Sequence, residues 1–226
     1  CASKGVTKGK KYKLMNDITD SVRTIIGTDE KPFEGQFYGD GYCVTVAINM
    51  PNEANVGVFG VVSSEANESI LDLSVRGYVN GGANAGAVCG SLKSKSAIVG
   101  CCNAATVRGT NAGGIVGTIN DKNTEIKSCV NIGEISGTEK AGGIACWQGK
   151  IVSCLSSGYV HSGKFAYGIA GGGDARECVS AGHVKGEEES VMIGPSKGSN
   201  MYDKQMYYGR SASGASEKTF EEIQKW

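Results

Sequence analysis

The chain has 226 residues, with 23 basic side chains against 23 acidic ones, 35 glycines and three prolines. That length allows a core of its own, and balanced charge without basic residues interleaved with aromatics excludes the electrostatic footprint of a nucleic-acid binder. Glycine without a collagen period or abundant proline excludes collagen-like and proline-rich disordered classes, and five leucines among many Val, Ile, Thr and Ser favour strands over helices.

The chain opens at Cys1 and closes in what reads as the first turns of a helix, which suggests a domain cut from a longer protein. Lipid modification of Cys1 is the sharper alternative. Lys8, Lys10, Lys11 and Lys13 form a short basic start that a solvated face explains. No apolar run approaches the roughly 18 residues needed to span a bilayer, so direct membrane insertion is not expected. KYKLMNDI (11–18) and PFEGQFYGDGYCVTVAINM (32–50) read as strands and turns of irregular first coils that close one end of the fold.

From residue 68 one segment recurs five times: ESILDLSVRGYVNGG, SAIVGCCNAATVRGT, EIKSCVNIGEISGT, KIVSCLSSGYVHSG and DARECVSAGHVKG. Its leading apolar residues are Ile70, Ile98, Ile126, Ile151 and Ala175, at steps of 28, 28, 25 and 24 residues. Three positions on stand Leu73, Cys101, Cys129, Cys154 and Cys178, and nine on stand Val79, Val107, Ile135, Val160 and Val184. A second piece lies between the copies: VGVFG, GAVCG, GGIVG, GGIAC, YGIAG and a degraded VMIGP.

One such unit cannot bury its apolar face alone. Stacked as parallel strands about 4.8 Å apart, the repeated positions make one continuous core. Glycine is expected at the sharp turns of each coil, where φ > 0 costs a residue without a Cβ little. Leucine-rich repeats need leucines that are missing here, propeller blades need about 40 residues or more, and ankyrin or TPR units need helices. The reading is an all-β, right-handed parallel β-helix of about six to seven coils with capping segments. It divides into an N-terminal cap with irregular first coils (1–55), repeated coils (56–209) and a C-terminal linker with a short helix (210–226). Thr219 with Glu222 forms a possible capping box, which places the helix start near Phe220.

These residues resemble the GLUG-motif β-solenoids of large bacterial surface proteins, including adhesins and immunoglobulin-A peptidases. The resemblance rests on Gly113 to Gly117, on Gly142, Gly143 and Ile144, and on following strands such as IKSCVNIGEISG. YKLMNDI and FEGQFYGDG are similar to the family's entry pattern, except that Tyr38 stands where that pattern has Asp. The resemblance covers roughly residues 11 to 209. It implies a repeated scaffold on an extracellular protein, at the cell surface or secreted, and carries no catalysis with it.

Nine cysteines occur without a CxxC pair. The four at one repeat position read as stacked, buried thiols, and Cys102, in the opposite strand phase to Cys101, reads as the more exposed one. GYVHSGKF (158–165) nearly matches a phosphate-binding loop, but Phe165 replaces the hydroxyl residue and no helix follows. GPSKG formally matches GxSxG, yet both histidines, His161 and His183, precede Ser196. The two histidines should point outward on adjacent strands without a third metal ligand, and Glu134 should lie nearer Tyr159 than to both. The eight aspartates show no repeated coil position, so the carboxylate grouping of a polysaccharide-degrading enzyme is missing. Neither a catalytic residue nor a cofactor is expected.

The outward column at the eighth repeat position reads Tyr78, Thr106, Glu134, Tyr159, His183. Amphipathic aromatics on a rigid sheet suit protein binding or sugar stacking, because tyrosine brings contact area at little ordering entropy. Trp147, Phe165 and Tyr167, read as loop residues, form a second candidate patch. The functional expectation is a monomeric, non-catalytic binding or adhesion module. It would recognise a glycan or a host protein such as an immunoglobulin, a mucin or a matrix protein. A structural spacer in a large surface protein is the alternative, and a polysaccharide-degrading enzyme comes third.

Overall fold

The computed structural model describes residues 7–66, 68–195, 198–206 and 215–225. Short β-branched stretches pair in parallel with the equivalent stretch of the next coil, and three sheets result. The first sheet has seven strands, in the order Lys11–Lys13, Gln36–Tyr38, Ile70–Leu71, Ala97–Val99, Glu125–Lys127, Lys150–Val152 and Asp174–Arg176. The chain is therefore a parallel β-solenoid of about seven turns. The third sheet holds four strands, Phe59–Ser63, Cys89–Lys93, Val116–Ile119 and Ala145–Trp147, which carry the recurring Gly-apolar pieces. The second sheet is the largest, with 16 strands, and includes Cys43–Met50, Ser74–Gly81, Cys102–Gly113 and Ile135–Gly142.

The repeat register holds residue for residue. Ile98 pairs with Ile70 on one side and Ile126 on the other, and the line continues through Ile151 to Ala175. Val79, Val107, Ile135, Val160 and Val184 likewise form one ladder. Both lines are buried, with no member more than 3% exposed. Each Val or Ile of these lines contributes about 1.5–3 kcal/mol by leaving water.

Leu73, Cys101, Cys129, Cys154 and Cys178 form a third buried line. The Cys129, Cys154 and Cys178 thiols donate to the carbonyls of Lys127, Val152 and Arg176 at 3.3, 3.3 and 3.2 Å. The residue before each member of this line is left-handed: Asp72, Gly100, Ser128, Ser153 and Glu177 have φ of 49°, 68°, 52°, 52° and 52°. Glycine fills this turn in only one of the five coils, contrary to the expectation that glycine marks the φ > 0 positions. The recurring Gly-Gly pairs have a different cause. A Cβ on Gly114 would lie 2.0 Å from the Gly143 carbonyl oxygen, and one on Gly143 would lie 2.0 Å from that of Gly168. These glycines let successive coils approach.

An amide ladder runs beside the core. Asn103 donates through Nδ2 to Asn131 Oδ1 at 2.8 Å, and Asn131 donates to Ser156 Oγ at 3.3 Å. Both asparagines are fully buried and also accept from the backbone N–H two residues on. At the first coils the core is closed by aromatic packing, with Phe33 and Phe37 at 4.9 and 5.3 Å from Phe59. At the other end Asn200–Asp203 stacks on Val179–Ser180, and Ala215–Lys218 stacks on that strand in turn. The helix Phe220–Ile223 follows, with the capping box in place: Thr219 N–H donates to Glu222 at 2.7 Å and Glu222 N–H donates to Thr219 Oγ1 at 3.2 Å.

Candidate recognition surface

Strand alternation turns every second residue of the second sheet outward. Ala47, Tyr78 and Thr106 are in direct register, and Glu134, Tyr159 and His183 each precede a residue of the buried valine-isoleucine ladder. The eighth-position column therefore forms as the repeats imply. Tyr78 is 44% exposed and Tyr159 is 40% exposed, large values for aromatic residues on a packed sheet. Tyr159 packs against both histidines. Its ring stacks on His161 with centroids 4.9 Å apart, and the His183 ring lies tilted at 5.0 Å.

Glu134 sits differently from the expectation. Its Oε1 lies 3.2 Å from His161 Nε2, so the carboxylate reaches diagonally to the next coil's tenth position rather than simply flanking Tyr159. A long side chain spans the offset between neighbouring columns, which a column-only reading overlooks. The pair is surface-exposed and contributes little stability, but it helps fix the ring on which Tyr159 stacks. Among the described residues no group of three His, Cys, Asp or Glu side chains is placed to hold a metal ion.

Next to Tyr78 the face carries a shallow groove of about 340 Å³, lined by Asn49, Tyr78, Val79, Asn80, Thr106 and Arg108. Sequence reasoning passed over Asn49, Asn80 and Arg108. They belong to an outward column at the tenth position, Asn49, Asn80, Arg108, Ser136, His161 and Lys185, that the same register delivers.

The second candidate patch is built from strands, not loops. Trp147 ends the strand Ala145–Trp147, and Phe165 and Tyr167 bound the strand Phe165–Tyr167. The strand forms because Lys140, Phe165 and Glu189 pair in register across three coils. Trp147 is 37% exposed, whereas Tyr167 is only 8% exposed and packs edge-on to it at 6.4 Å. Lys140 Nζ lies 4.3 Å from the Trp147 ring centroid, a cation–π contact on the outer side. Trp147 and Lys140 thus define this patch, with Phe165 half-buried and Tyr167 supporting from within.

The phosphate-loop lookalike forms two strands, Val160–Ser162 and Phe165–Tyr167, with no helix after it. Ser196 and Cys1 lie outside the described residues. Burial pushes the Cys89 and Cys146 thiols up to about 12, and the hydrogen-bonded Cys101 neighbour raises Cys129 well above its ordinary value. Cys43 and Cys102 are both half-buried and flank Ser74 on the sheet, so Cys102 shares its exposure with a thiol that the repeat phase did not single out. Of the eight described cysteines, only Cys43 and Cys102 are expected to be alkylated in the native protein at mildly alkaline pH. Peptide mass spectrometry checks this; rapid native labelling of Cys129 or Cys154 would contradict the buried thiol line.

No family model matches the chain, and no curated protein matches it. Among solved structures it is similar to a chain described as a "putative immunoglobulin A1 protease" from Bacteroides ovatus. The two share 18% identity over 96% of this chain and 80% of that one, with a TM-score of 0.65. The likeness is one of fold. It places the β-solenoid beside a solved relative in shape without assigning the activity of that protein. Among the described residues no helix is long and apolar enough to cross a membrane.

Proposed function

We propose that the chain is a non-catalytic recognition module of an extracellular bacterial protein, at the cell surface or secreted, and that it binds a host protein or glycan through the outward face of its second sheet. One observation carries this reading: Tyr159, 40% exposed, packs against two imidazoles at 4.9 and 5.0 Å. A solvated tyrosine held this way is pre-ordered, so little side-chain entropy remains to be lost when a partner covers it. The extracellular setting rests on the resemblance to GLUG-motif surface proteins. The name of the Bacteroides ovatus neighbour makes immunoglobulin A a reasonable member of any test panel. A structural spacer is the second reading, favoured by the unbroken register of the seven-stranded first sheet.

The test is a screen of the intact chain against immobilised immunoglobulins, mucins, matrix proteins and a glycan array. The expected result is saturable binding to one class, weakened about tenfold or more by Tyr159→Ala. The thermal midpoint should hardly move, because a surface substitution costs within about 0.5 kcal/mol. Silence across both panels would leave the spacer reading in its place.

A further inference from the structure

We propose that the groove beside Tyr78 binds an anionic saccharide, a sugar carrying a carboxylate or a sulfate. The proposal rests on the recognition reading above and names the ligand chemistry for one part of that face. The groove combines three kinds of group that sugars require. Tyr78, 44% exposed, offers a ring face on which the C–H side of a pyranose can stack. Asn80 donates through Nδ2 to Asn49 Oδ1 at 2.7 Å, which leaves the Asn49 amide hydrogens and the Asn80 carbonyl oxygen as a donor and an acceptor for sugar hydroxyls. Thr106, in register with Tyr78, adds a hydroxyl.

Arg108 sets the charge. It pairs directly with Asn80 along the ladder, lines the groove and is exposed. Among the described residues no carboxylate forms an ion pair with it. Glu134, one coil beyond Thr106, is engaged by His161 at 3.2 Å instead. Arg76, two residues before Tyr78 and in the same outward phase, lies outside the groove's lining, with Nε donating to Thr45 Oγ1 at 2.9 Å. A guanidinium presents paired donors that match the oxygens of a carboxylate or sulfate. The volume of about 340 Å³ lies at the lower end for ligand sites, in keeping with one or two sugar rings held at an open surface.

The experiment is calorimetric titration of the intact chain with two matched pairs of probes. Tetragalacturonate is compared with its methyl ester, and neocarratetraose sulfate with the same tetrasaccharide after desulfation. The expected result is that at least one charged probe binds about tenfold or more tightly than its uncharged partner, as for a hydrogen bond to a charged group. Arg108→Ala should abolish that preference, Tyr78→Ala should weaken both members of the pair, Trp147→Ala should change neither, and added salt should reduce the preference. Whichever pair responds tells carboxylate from sulfate. Equal binding of charged and uncharged probes, a preference that survives Arg108→Ala, or no binding by any probe at millimolar concentration would overturn the proposal. In the last case the recognition reading still stands if the immobilised panel gives Tyr159-dependent binding; silence in both experiments removes both.

Discussion

Gly143→Ala lowers the thermal unfolding midpoint by roughly 6–12 °C, if its cost is about 3 kcal/mol, in a chain of this size. The new Cβ would stand 2.0 Å from the Gly168 carbonyl oxygen and 2.2 Å from Ser156 Oγ. Neither neighbour has room to retreat. The carbonyl belongs to the backbone of the next coil, and Ser156 is part of the buried amide ladder. The coils must separate locally, which strains the parallel pairing on both sides of the contact. Gly172→Ala is the matched control. Its Cβ would meet nothing closer than 3.5 Å, and its φ lies outside the left-handed region, so its midpoint should stay near that of the parent chain. Differential scanning calorimetry of the two variants checks the explanation. Equal, small shifts in both would mean that the recurring glycines are not packing positions.

Asn131→Ala is expected to cost about 1–3 kcal/mol, the range for stranding a buried polar group, and to fall toward its upper end because the network is connected. Asn131 Oδ1 accepts from the Gly133 N–H at 3.2 Å and from Asn103 Nδ2 at 2.8 Å, while its own Nδ2 donates to Ser156 Oγ and the Gly133 carbonyl, each at 3.3 Å. Alanine leaves all of these partners in a site closed to water, and it leaves a void as well. Asn80→Ala removes an amide–amide bond of similar length, 2.7 Å, on the exposed face, where water replaces the lost partner. That change should cost no more than about 0.5 kcal/mol. Chemical denaturation of both variants measures the contrast, and a cost for Asn131→Ala as small as for Asn80→Ala would show that the ladder is not a cooperative structural element.

The architecture was legible because a solenoid repeats its burial pattern along the chain. Once Ile70, Ile98, Ile126, Ile151 and Ala175 are aligned, every later column follows by counting, and the structure reproduces those columns pairwise. The same counting placed Tyr78, Tyr159 and His183 on one outer face. What counting misses is interaction between columns. Glu134 reaching His161, Tyr159 stacking on His161 and Lys140 covering Trp147 are contacts between columns set by side-chain length and rotamer. The buried asparagines were equally hidden. Asn103 and Asn131 recur one repeat apart, but the next coils replace them by Ser156 and Ser180, so the polar line shows only when the register is already known. Glycine misled in another way: composition shows that it is needed, and only the geometry separates a left-handed turn, filled here by Asp72, Ser128, Ser153 and Glu177, from a close approach of two coils.

The most direct test of the account is hydrogen–deuterium exchange of the chain with and without the partner that saturates in the immobilised screen. A partner seated on the outward face of the second sheet is expected to slow exchange in residues 76–80, 130–136 and 155–161. Protection confined to the third sheet, at 89–93, 116–119 and 145–147, would contradict it and move the recognition surface to the side of the solenoid that carries Trp147.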